Sequence, residues 1–243
     1  MAFCAMSPPI LSFSSHRPLV VGSFGSMSDL LDCAPGHADA VCDVVEIRLD
    51  VLRRDGWELS QKPWTHLAHK PLLFTARCQS EGGVLPLEAA ARAAMIAAVC
   101  GEAAAVDVEI ASMHEMRDTI ALLAERSIPW VASSHHFDRL PEMDLWRELR
   151  ECARAGGASV AKFAATLHDA AEMAVLESFQ SEPAAICVST MGMGTLAPAS
   201  RVRCALAGSV LNYGYIGQAP TAPGQWPAAT LRAAIQEKKI PSP

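Results

Sequence analysis

Short apolar runs rich in Val, Ile and Ala recur along the chain, separated by longer stretches in which polar and apolar residues mix. They fall at 19–24, 41–49, 72–78, 104–110, 128–134, 158–164, 184–190 and 207–213, which gives eight strand candidates. Most are apolar almost throughout, the pattern of parallel strands covered on both faces. Between them lie segments of helical character. The stretch 86–101 opens on Pro86 and closes at Gly101, as helix ends prefer; 112–126, 141–155 and 168–180 are the others. Run and helix alternate one βα unit at a time without strong internal identity, and this predicts an α/β fold, a single-domain (β/α)8 TIM barrel. An open doubly wound sheet is the alternative arrangement. No GxGxxG follows the first run, so the usual dinucleotide fingerprint is missing.

Composition sharpens this picture only in places. The 243 residues are 51% hydrophobic and 19% charged, the profile of a chain with a sizeable core. The barrel is expected over 18–243, preceded by a flexible extension at 1–17 whose Ser-rich, acid-poor sequence carries a weak transit-peptide signal. A formal charge of −6 offers no large positive field, which argues against nucleic acid and membrane surfaces as partners. A small anion remains possible where arginines face inward. The eight cysteines are widely spaced without a CxxC pair, as expected of reduced thiols in a cytoplasmic protein. No apolar run is long enough to span a bilayer.

The chemistry gathers where the apolar runs end, which in a barrel is the face that builds active sites. The second run ends in EIRLD, whose alternation sends Glu46, Arg48 and Asp50 to one side. The third ends in Arg77 and leads to Glu81-Gly82-Gly83. The fourth carries Asp107 and Glu109, which read as structural; the fifth delivers His135 and His136, whose side chains take opposite faces. His66 and His69 have a metal-like spacing but lack carboxylate or cysteine company, so they read as surface residues and no metal site is expected.

Lys162 stands out, because Ala158-Ser159-Val160-Ala161-Lys162-Phe163-Ala164 places an ammonium inside a buried strand. Such a lysine either has a carboxylate partner, here Glu46 or Asp107, or it loses its proton. The neutral amine attacks carbonyls to form a Schiff base. His135, one strand earlier, would supply the base, and Glu81 the carboxylate that fixes its tautomer. Arg201 after the seventh run and Gln225 after the eighth could together clamp a carboxylate.

Taken in order, EIRLD, FTARCQSEGG, DVEI, SSHHF, AKFA, STMGMG, SR and APGQ resemble type I 3-dehydroquinate dehydratases from about residue 41 to 225. The resemblance implies a barrel of the shikimate pathway that converts 3-dehydroquinate to 3-dehydroshikimate through a lysine imine. It implies no metal or organic cofactor, and a homodimer. Carried over, Lys162 would form the imine, His135 would move the proton and Glu81 would orient it. Glu46, Arg48 and Arg77 would meet ring hydroxyls, Arg201 and Gln225 the carboxylate, while Met193 and Tyr213 would wall the pocket. Thr221 stands where Ser often precedes APGQ, and Ser23 would correspond to a substrate-contacting hydroxyl. Tyr213 replaces a frequent Phe, Ala197 interrupts the glycine pattern, and His136 replaces Asp, which would add a second titrating group near the site. Two other readings fit the residues: an aldolase-like or transaldolase-like barrel, which also uses a strand-borne lysine imine, and a carboxylate-binding barrel without turnover.

Overall fold

The computed structural model describes residues 9–241, and in it every apolar run becomes a parallel strand. The strands are β1 (Leu19–Phe24), β2 (Val44–Arg48), β3 (Leu72–Thr75), β4 (Ala105–Glu109), β5 (Trp130–His136), β6 (Val160–Thr166), β7 (Cys187–Met193) and β8 (Leu211–Ile216). The helices are α1 (Met27–Asp32), α2 (Pro35–Val41), α3 (Leu49–Arg54), α4 (Ala89–Val99), α5 (Arg117–Glu125), α6 (Met143–Ala155), α7 (Ala170–Gln180), α8 (Ala197–Leu206) and α9 (Ala228–Glu237). The strand order is β7-β6-β5-β4-β3-β2-β1-β8, and the Val210 N–H donates to the Val188 carbonyl at 3.2 Å across the remaining seam. The result is a nearly closed TIM barrel, and the open-sheet alternative falls away.

Period-two alternation gives each strand an inner and an outer side. Outward residues such as Ile47, Phe74, Val108 and Phe163 join one large apolar cluster with the helices. On α6, Trp146, Arg150 and Ala153 share the buried stripe, and the Trp146 ring stacks on Phe163 with centroids 5.0 Å apart. A second cluster fills the barrel itself, with Leu19, Val21, Val44, Leu73, Val131 and Val160 near the amino ends of the strands. One or two inward steps further along, the side chains become Glu46, Thr75, Asp107, Ser133 and Lys162, all buried. An apolar floor thus carries a polar layer.

Strand limits depart from the apolar runs in two directions: β2, β3 and β4 stop short of their runs, whereas β5 to β8 outlast theirs. The runs for β5 to β8 stop two or three residues before the ladders do, because His135, Thr166 and Gly192 keep backbone pairing without contributing apolar character. β2 is shorter than expected, since Val41 closes α2 and Leu49 opens α3. Asp50 therefore leaves the strand, yet it is buried and returns to Arg48 through bonds of 2.8 and 2.7 Å. The stretch expected as a flexible extension divides in two. Residues 1–8 lie outside the described residues, whereas Leu11 and Phe13 pack against the inner apolar cluster. No helix among the described residues is long and apolar enough to cross a membrane.

Candidate active site

Above the polar layer, at the carboxyl ends of the strands, opens a cavity of about 580 Å³ including its mouth. Every site residue expected from the sequence lines it except Ser23. Ser23 is fully buried, and its hydroxyl donates to one oxygen of Glu46. The Thr75 hydroxyl donates to the other Glu46 oxygen at 2.8 Å, so that carboxylate is held from two sides.

Lys162 reaches the cavity from the middle of β6. Its Nζ donates to Asp107 Oδ2 at 3.2 Å and lies 4.3 Å from the centre of the Tyr213 ring. Burial pulls the ammonium pKa below its ordinary value; Asp107 opposes this and Arg77 adds to it. Of the two alternatives the sequence left for Lys162, the structure shows the ion pair with Asp107, together with a depressed ammonium pKa. Asp107 Oδ1 is already committed to Arg77 at 3.0 Å and to the Ser133 hydroxyl at 2.6 Å. Burial alone would raise the Asp107 pKa, but Arg77 and Lys162 outweigh it and hold it at about 2.

His135 stands on the neighbouring strand β5, with Nδ1 2.9 Å from Glu81 Oε2. The same Glu81 oxygen accepts the His135 backbone N–H at 2.9 Å. Nε2 is left without a hydrogen-bond partner among the described residues, on a side chain that lines the cavity. Burial, then the charges of Arg77, Lys162 and Arg48, depress the His135 pKa well below its ordinary value, so the ring is neutral near pH 7 and able to accept a proton. Burial also raises Glu81 to about 7, with Arg77 pulling the other way. Glu81 arrives on a single 3-10 turn, Gln79–Glu81, folded back by a bond from the Gly83 N–H to the Cys78 carbonyl at 2.8 Å. A Cβ at Gly83 would lie 2.4 Å from the Arg77 carbonyl oxygen, so the turn needs a glycine there.

The opposite wall carries groups suited to an anion. Arg201 on α8 is buried, its Nη1 donates to the Tyr213 carbonyl at 2.6 Å, and its Nε has no partner among the described residues. Burial lowers its pKa to about 10, which leaves it charged at neutral pH. Gln225 Oε1 accepts both the Thr221 N–H and hydroxyl at 2.8 Å, which turns the amide NH2 of Gln225 into the free end. The loop bearing Gln225 is tied to the end of β7. The Gly194 N–H donates to the Pro223 carbonyl at 3.2 Å, and a Cβ at Gly224 (φ +71°) would fall 1.9 Å from the Gly194 oxygen.

Some residues fall elsewhere than expected. His136 takes the outer side of β5, 3.1 Å from the Ser134 hydroxyl and with its ring 6.2 Å from that of Trp146. It does not line the cavity but stands beside it, and its charge is among those that depress the His135 pKa. Of the two carboxylates the sequence offered as partners for Lys162, the structure selects Asp107, which alternates inward like Glu46. Phe137, at the mouth, was not anticipated and had no signal beyond its place after SSHH.

Comparison with known proteins agrees along the whole barrel. The type I 3-dehydroquinase profile matches residues 20–241. The 3-dehydroquinate dehydratase of Methanococcoides burtonii is 30% identical over 228 residues, covering 91% of this chain and 94% of that protein. That of Enterococcus faecalis is 32% identical over 217 residues, covering 84% and 85%. The crystal structure of 3-dehydroquinate dehydratase from Geobacillus kaustophilus superposes with a TM-score of 0.82 at 27% identity, over 98% of this chain and 100% of that one. The chain therefore belongs to the type I 3-dehydroquinase family, hydro-lyases that dehydrate 3-dehydroquinate in the shikimate pathway.

Proposed function

We propose that Lys162, His135 and Glu81 carry out this dehydration in the cavity described above. The observation that supports the reading is the meeting of an amine of depressed pKa and an unpartnered imidazole nitrogen on adjacent strands, open to one cavity. Lys162 Nζ adds to the ketone of 3-dehydroquinate and water leaves, giving a protonated imine. The positive nitrogen draws electrons from the neighbouring CH2, and His135 Nε2 removes one of its protons. As the carbon–oxygen bond on the next carbon breaks, His135 returns a proton to the departing hydroxyl, which leaves as water. Hydrolysis of the imine then releases 3-dehydroshikimate and the free amine.

The remaining groups position the ring. Arg201 and the Gln225 amide take the carboxylate, one with charge-assisted donors and one with a neutral donor. Glu46, Arg48 and Arg77 face the ring hydroxyls, with Arg48 held by its two bonds to Asp50. Met193, Thr221 and Tyr213 complete the wall. In this reading the enzyme uses neither metal nor organic cofactor, works as a homodimer in the cytoplasm, and folds as one barrel domain. Borohydride added with 3-dehydroquinate should reduce the imine and leave a stable adduct on Lys162, located by peptide mass spectrometry. Binding of substrate without any adduct would overturn the assignment. Light scattering on the purified protein checks the dimer.

A further inference from the structure

Tyr213 is 4% exposed, and its hydroxyl is buried without a hydrogen-bond partner among the described residues. A buried hydroxyl left unpaired destabilises a fold, and phenylalanine would fill the same space without that penalty. The protein groups whose charges act on the phenol, Glu46, Asp107 and Arg77, make their hydrogen bonds elsewhere, and none pairs with its oxygen. Both Glu46 oxygens accept hydroxyls, from Ser23 and Thr75, and both Asp107 oxygens are taken by Lys162, Arg77 and Ser133. The phenol therefore has bonding capacity left for something that enters the cavity its side chain lines. It stays protonated, since burial and then Glu46 and Asp107 push its pKa well above the ordinary phenol value, so it enters any contact as a neutral donor.

We propose that the Tyr213 hydroxyl hydrogen-bonds the substrate hydroxyl on the carbon next to the imine carbon, and so is a specificity-determining contact of this enzyme. The inference rests on the imine reading of Lys162. Its ring lies 4.3 Å from Nζ, which places it beside whatever carbon that nitrogen joins. Of the two carbons flanking the ketone of 3-dehydroquinate, one gives its proton to His135 on the strand before Lys162, and the other bears a hydroxyl. In the strand order β5 flanks the Lys162 strand on one side and β7, with β8 across the seam, on the other, so Tyr213 approaches from the side left to the hydroxyl-bearing carbon.

Tyr213→Phe removes only the oxygen. The test compares parent and variant for kcat/KM on 3-dehydroquinate and on its 4-deoxy analogue, and for the melting midpoint without ligand. The variant should lose about tenfold in kcat/KM on 3-dehydroquinate and less than about twofold on the analogue. Its unliganded midpoint should rise by about 2 to 4 °C as the orphaned group disappears. Equal losses on both substrates, no loss on either, or a lower midpoint would each overturn the proposal, the last because it means the hydroxyl has a protein partner. A parent that neither turns over 3-dehydroquinate nor forms a borohydride adduct fails the Lys162 reading first. A parent that does both, with an unaltered variant, fails this inference alone.

Discussion

Lys162 and Phe163 are neighbours on β6 and both buried, yet they meet opposite surroundings. Phe163 faces outward, stacked on Trp146 and edge-on to Phe179 with centroids 5.5 Å apart. Lys162 faces inward onto Asp107 and the cavity. On the outer side, burial stabilises the barrel by removing aromatic surface from water. On the inner side the same burial changes what the groups do: it lowers an ammonium, neutralises an imidazole and raises a carboxylate to about 7. One wall thus separates stability from reactivity at a spacing of a single residue.

Substitutions on the two sides should break that separation in opposite ways. Lys162→Met should lower kcat/KM by about 10⁴-fold or more and abolish the borohydride adduct, with a melting midpoint close to that of the parent. His135→Gln should cost about 10²- to 10⁴-fold while still permitting a trapped adduct, since the imine can form without the base that follows it. Trp146→Ala on the outer side should do the reverse. A cavity of that size destabilises by about 3 to 5 kcal/mol and lowers the midpoint by roughly 6 to 20 °C, with kcat/KM retained at temperatures where the variant is folded.

The pH dependence of unfolding sharpens the inner side further. The folded-state pKa of Asp107, about 2, lies below the 3.8 of a free carboxylate, so its stabilisation is complete above that value and is lost as pH falls through the folded one. Denaturant titrations should show parent and Asp107→Asn converging between about pH 4 and about pH 2. The smallest effect belongs to His136→Asn, expected to leave kcat/KM within about twofold of the parent and to move its pH profile only slightly, because the ring stands outside the cavity and acts on His135 through charge alone.

Much of the barrel was legible in the sequence because parallel strands covered on both faces are written as apolar runs, and all eight runs fall on strands. Their ends were less legible, since polar residues such as His135 and Thr166 interrupt the apolar pattern before the ladder stops in β5 and β6, while helical structure takes over before the runs end in β2 and β4. In the site, Lys162 announced itself by being charged in an apolar run. Its partner was legible only as a choice between Glu46 and Asp107, because which inward carboxylate a lysine meets two strands away depends on register, and the register puts Asp107 3.2 Å from it. The bond from Ser23 to Glu46 was not legible, because a hydroxyl at a strand end says nothing of which carboxylate it meets.

The contact between Gly224 and Gly194 bears on how this sequence could be altered. Position 224 has no room for any side chain, and the atom in its way is backbone on another loop. In a saturation library, 224 should therefore be intolerant whatever the chemistry offered, while Thr221, three residues earlier, should accept serine because serine keeps both the backbone N–H and the hydroxyl that engage Gln225. Insertions that lengthen either loop would have to be matched in the other, so the two segments should diversify as one unit during directed evolution.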